Sequence, residues 1–155
     1  MADVGGAGQV VVVGVDGSTE SIAALGWARR YAAATGAKVR AVHAWHYPTA
    51  FGVPPAGKAP PSVTTEVEQG MRDDMARAVA RAYPDPDDKQ PETALRYGHP
   101  VEVLIDESKN ADLLVVGHHG HSAFAGMLVG SVSIHCVTGA HCPVVVVRSH
   151  GNDHH

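Results

Sequence analysis

The chain has 155 residues, 45% hydrophobic and 18% charged, with a formal net charge of −4. This balance describes one soluble globular domain and excludes a cationic nucleic-acid surface. No apolar run approaches the ~20 residues of a membrane-spanning helix, and two cysteines, Cys136 and Cys142, are too few for a secreted disulfide framework.

In chain order, residues 1–8 read as a flexible lead-in, since "MADVGGAGQ" has neither the basic nor the apolar part of a signal peptide. The expectation is a cytoplasmic protein with no nucleic-acid and no membrane partner. "QVVVVGV", 9–15, is a valine run of the kind buried on both faces of a parallel sheet. In "DGSTES", Ser18 is a helix N-cap with Glu20 in the first turn. Ile22, Leu25, Trp27, Ala28 and Tyr31 follow at helical spacing, and Gly36 stands where a C′ glycine ends a helix. "KVRAVHAW", 38–45, is a second strand.

Residues 46–62 hold five prolines and form no regular element; they are read either as a lid, with Lys58 reaching phosphate, or as a plain connection. Helical periodicity returns over 63–83 and breaks at "PDPDDKQP". "ETALRYG", 92–98, is a third strand, and Pro100 opens a short helix. "ADLLVVG", 111–117, is a fourth strand, "SVSIHCVTGAH" a short helix stopped near Gly139, and "CPVVVVR" the last strand. Residues 149–155 read as a flexible tail. Strands alternating with helices predict a single doubly wound α/β domain over 9–148, with a five-stranded, mostly parallel sheet and helices on both faces.

In such sheets a ligand sits beyond the carboxyl ends of the strands, where the strand order reverses. Two strand ends carry chemistry. Asp16 follows the first strand. "VVGHHGHSAFAGMLVGSVS", 115–133, follows the fourth. There Gly117 and Gly120 let the backbone approach a ligand. Gly130 and Ser131 open a helix whose first amides are unpaired and carry positive dipole, a site for phosphate that the Ser131 and Ser133 hydroxyls extend. Gly126 has no assigned part. Neither a P-loop nor a dinucleotide fingerprint is present in the right place.

These residues resemble the nucleotide-binding type of the universal stress protein family. Its Gly-x2-Gly-x9-Gly-Ser/Thr spacing is matched by Gly117, Gly120, Gly130 and Ser131, and "VVVGVDGSTES", "ADLLVVG" and "CPVVVVR" are similar to its strands. The resemblance implies ATP or a related adenine nucleotide, alone or with Mg²⁺. Asp16 would hold the ribose side, Val15 and Val42 the base, and Gly117, His118 and Gly120 the ribose. Gly130, Ser131, Val132 and Ser133 would hold phosphates, and the site would extend to Gly14, Val116, His119, His121 and Ser122. It also implies a homodimer through the last strand, Pro143, Val144, Val145, Val146 and Val147, as part of a stress response.

One departure stands out: no Lys or Arg occurs between Asn110 and Val147. The expectation is binding that tightens as pH falls through the histidine range near 6.5, or that leans on Mg²⁺. No catalytic constellation is visible, so a regulatory module with at most slow ATP turnover is favoured. A nucleotide hydrolase and a dimeric interaction module without nucleotide are the alternatives. The eleven histidines show no metal-ligand spacing. His43 reads as a satisfied core histidine, Cys136 as a buried helix residue, Cys142 as the start of the last strand, and Trp27 and Trp45 as packing residues.

Overall fold

The computed structural model describes residues 8–46, 65–119 and 130–149. Among them are β1 (Val10–Gly14), α1 (Thr19–Thr35), β2 (Lys38–Trp45), α2 (Thr65–Ala82), β3 (Glu92–Tyr97), α3 (Pro100–Ser108), β4 (Leu113–Gly117), α4 (Ser131–Gly139) and β5 (Val144–Val147). The strands lie in the order β3-β2-β1-β4-β5, and every pairing is parallel. The expectation of a mostly parallel sheet therefore tightens to an all-parallel one among the described strands.

The valine run becomes the central strand because both its faces are covered. Val11 and Val13 enter one core with Leu25 and Ala28 of α1 and Met75 and Val79 of α2. Val12 enters the other with Val103 and Leu104 of α3 and Cys136 of α4. Each such fully buried aliphatic side chain stabilises the fold by about 1.5–3 kcal/mol. The first two helices thus cover one face and the last two the other.

Local signals set most ends. Ser18 caps α1, its hydroxyl accepting from Ser21 N. Gly36 closes the helix in the left-handed region at φ 80°, which glycine adopts without a Cβ penalty. The strands run shorter than the apolar runs. Val15 lies past β1 yet still donates to Val42 O at 2.9 Å. At the head of β4, Asp112 Oδ2 accepts from Val10 N at 2.8 Å, so a side chain takes over from the ladder. The lid read over 46–62 falls, from residue 47 on, outside the described residues.

Candidate functional site

The chain passes from β1 into α1 on one face, and from β4 into α4 on the other. Because β1 and β4 are neighbours, their carboxyl ends part and leave a crevice at the reversal of strand order. An open cleft occupies it. Its apolar wall is Val15, Val42, Ala44, Pro100, Leu104 and Val116; its polar wall is Asp16, Ser18, Ser21, His119 and the start of α4.

The β1 side is locked by hydrogen bonds within the turn. Asp16 Oδ1 accepts from Ser18 N at 2.9 Å and from Ser18 Oγ at 2.5 Å. Asp16 N donates to Ser21 Oγ at 3.2 Å, and Ser21 Oγ donates to Ser18 O at 3.1 Å. His43 Nδ1 lies 2.9 Å from Val15 O. A carbonyl only accepts, so that nitrogen carries the proton. The histidine is satisfied, as its sequence context leads one to expect, and it braces the turn that presents Asp16.

The β4 side is held as firmly. His118 N donates to Val147 O at 2.7 Å, and Gly130 N donates to His118 O at 2.8 Å. Ser133 is 2% exposed, and its hydroxyl donates to Gly117 O at 2.6 Å. These bonds bring the front of α4 against the end of β4, with the exposed Ser131 at the cleft.

Of the residues proposed from sequence, Gly14, Val15, Asp16, Val42, Val116, Gly117, His119, Gly130, Ser131, Val132 and Ser133 line this one cleft. Gly120, His121 and Ser122 lie outside the described residues. Ala44, Pro100, Leu104, Ser18 and Ser21 also line it and are not among the site residues proposed from sequence. Pro100 alone carried a usable signal, as the first residue of a helix following a strand end.

Three features of these residues are set by the fold itself. Gly117 lacks a Cβ because α1 crowds it: an added Cβ would fall 2.7 Å from the Glu20 carbonyl carbon and 2.8 Å from its oxygen. Gly130 likewise faces His119, with Cα and Cβ of that residue both 3.0 Å from such an atom. Packing within the chain accounts for the bare Cα at both positions, and both glycines also line the cleft. The Ser133 hydroxyl proton is spent on Gly117, leaving Ser131 as the accessible hydroxyl of the pair.

His118 is the third. It is 9% exposed and does not line the cleft, and burial together with Arg148 and His119 holds its imidazole below the ordinary pKa, against the pull of Glu20. His119 does line the cleft, and its Nδ1 lies 4.0 Å from Glu20 Oε1. Cys136 is fully buried, and burial pushes its thiol up to about 11, so it is not a ready nucleophile. Among the described residues no three His, Cys, Asp or Glu gather to hold a metal ion, and no helix is long and apolar enough to cross a membrane.

Fold and cleft together define a class: a doubly wound parallel α/β domain with its ligand crevice between the first and fourth strands. The chain belongs to the universal stress protein family, whose profile matches residues 9–148. A universal stress protein of Mycolicibacterium smegmatis is 35% identical over 141 residues, which span 89% of this chain and 45% of that protein. One from Mycobacterium tuberculosis strain H37Rv is 36% identical over 138 residues, with the same coverage of 89% and 45%. The chain thus spans a little under half the length of the curated relatives it matches. Among solved structures, a universal stress protein in complex with cAMP is 30% identical, covers 90% of this chain and 95% of its own, and superposes with a TM-score of 0.59. UspA from Lactobacillus plantarum, 22% identical with coverage of 90% and 97%, shares the fold at a TM-score of 0.69.

Proposed function

We propose that this chain is an adenine-nucleotide-binding regulatory module of the stress response and works as a homodimer. The observation that carries the nucleotide reading is the meeting of two strand ends in one cleft. An apolar slot from Val15 and Val42 to Leu104 suits a base, Asp16 suits ribose hydroxyls, and the first amides of α4 with Ser131 suit phosphate. The solved relative bound to cAMP, at 30% identity, supports the same class of ligand. ATP, alone or with Mg²⁺, is the ligand implied by the family's motif, and it shares adenosine and a first phosphate with shorter adenine nucleotides.

The dimer reading rests on β5. It lies at the sheet edge with one described neighbour, β4, and its four valines are half-buried. Beside it, Ile134 and Val137 on α4 are 50% and 55% exposed. An apolar edge of this kind is covered in a stable protein.

The test is direct. The protein is purified, denatured and its released small molecules separated by nucleotide chromatography; thermal unfolding is followed with and without added adenine nucleotides. Retained nucleotide, or a rise in Tm with ligand concentration, supports the reading. An empty protein whose Tm ignores every adenine nucleotide refutes it and favours an interaction module.

A further inference from the structure

We infer that the chain has a second ligand site, at the opposite end of the sheet from the cleft, and that it takes a small carboxylic acid with a short aliphatic tail. Tyr83, Arg29, Lys38 and Lys89 receive the acid group.

The cleft between β1 and β4 opens at the carboxyl ends of the strands. A second pocket lies at their amino ends, between the first residues of β1, β2 and β3, the last turns of α1 and the segment from α2 to β3. Val10, Ala32, Ala37 and Val39 give it an apolar wall. Tyr83, another of its lining residues, is 5% exposed. The Tyr83 hydroxyl is buried and has no hydrogen-bond partner. Native structures rarely leave such a group unpaired, because its lost hydration is not repaid. Burial pushes this phenol up to about 12, against the pull of Arg29 and with a smaller push from Asp88. It therefore keeps its proton and can donate.

The charged residues of the pocket favour an anion. Arg29, Lys38, Arg40 and Lys89 face only two carboxylates, Asp88 and Glu92. Glu92 is met by Arg40 at 3.2 Å. Arg29 gives its Nε to Ala82 O at 3.0 Å and reaches Asp88 Oδ2 only at 3.5 Å, longer than a strong N–H···O bond. The ammonium groups of Lys38 and Lys89, both exposed residues, make no ion pair among the described residues. The C-terminal end of α1 offsets part of this charge, about half a unit, and the balance stays positive. A guanidinium beside a neutral phenol suits the two acceptor oxygens of a carboxylate. The apolar wall adds nothing for a bare inorganic anion and suits an aliphatic tail.

The full chain is titrated with hexanoate, hexylammonium and inorganic phosphate, and its amide resonances are followed by two-dimensional NMR. Hexanoate is expected to shift Ala37, Lys38, Lys89 and Gln90 and to leave Asp16 and Ser131 of the cleft unmoved. Tyr83→Phe keeps the ring and should weaken this binding by about tenfold. Lys38→Gln with Lys89→Gln should weaken it and flatten its salt dependence. Equal shifts from hexylammonium, phosphate as effective as hexanoate, or binding that survives Tyr83→Phe overturns the inference. So does the absence of any shift at these amides, which would leave the hydroxyl to water alone. None of these results bears on the nucleotide reading.

Discussion

Gly117 lacks a side chain because α1 leaves no room for one. Gly117→Ala would drive a methyl into the Glu20 backbone at 2.7 Å, and backbone yields less readily than a flexible side chain. The expected cost is about 1–3 kcal/mol, read as a lowered urea midpoint; a variant as stable as the parent would show that α1 can slide. The two serines of α4 separate structure from binding. Ser133→Ala removes the 2.6 Å bond to Gly117 O and should cost about 1 kcal/mol of stability. Ser131→Ala, at an exposed position, should leave unfolding within about 0.5 kcal/mol and weaken nucleotide binding several-fold. His118 supplies a pH signature. Its folded-state pKa lies below the ordinary value, so on acidification the unfolded chain takes up the proton first. The stability it contributes is present above about pH 6.5 and is lost as pH falls through the lower folded value. Tm should therefore drop between pH 7.5 and 5.5, and His118→Leu should flatten that drop.

At the scale of elements, α3 supplies Pro100 and Leu104 to the cleft wall and is tied to the sheet from its far end. Glu107, with a side chain 9% exposed, receives Arg40 Nε at 2.9 Å and Nη2 at 3.2 Å from β2 and Arg96 Nη1 at 2.5 Å from β3. Burial alone would raise the Glu107 carboxyl; the hydrogen bonds from Arg40 and Arg96 outweigh it and hold the pKa below the usual range. Arg96 also meets Asp106 at 3.0 Å, so one helix end is clamped to two adjacent strands. Glu107→Gln removes the buried carboxylate that two guanidinium groups share and leaves Arg40 with the exposed Glu92 and Arg96 with the exposed Asp106. It should lower stability by about 1–3 kcal/mol in denaturant unfolding. With its anchor weakened α3 shifts Leu104, so nucleotide affinity should fall too, although Glu107 does not line the cleft.

At the scale of the whole molecule, the sheet ends among the described strands at β3 on one side and β5 on the other. Among the described residues, the β5 side combines an all-valine strand with exposed aliphatic residues on the neighbouring helix. Val145 and Val147 pack toward the core shared with α1, Val144 and Val146 toward that shared with α4. The strand is therefore already half anchored and presents its main-chain edge. If two copies pair there, Ile134→Glu together with Val137→Glu should convert the dimer to a monomer in sedimentation equilibrium. Both side chains are at least half exposed, so each protomer should keep its unfolding cooperativity. A dimer that survives both changes would place the interface elsewhere.

What could be read without coordinates was whatever depends on neighbours in the chain. Valine runs marked strands, Ser18 and Gly36 marked the ends of a helix, and the alternation of elements marked a doubly wound sheet. The glycine spacing after the fourth strand pointed to the family. These signals are local because propensity, capping and periodicity act over a few residues. Tertiary structure alone decided which groups meet. Strand order set β1 beside β4, bringing Asp16 to the front of α4 and closing the cleft with Leu104 from a third segment. The same packing turned Gly117 and Gly130 into contact positions for Glu20 and His119, removed His118 from the cleft, and committed the Ser133 hydroxyl to the main chain. Van der Waals contact and hydrogen bonding between segments far apart in sequence leave no periodic trace in it, because each depends on how two elements cross rather than on the pattern of either.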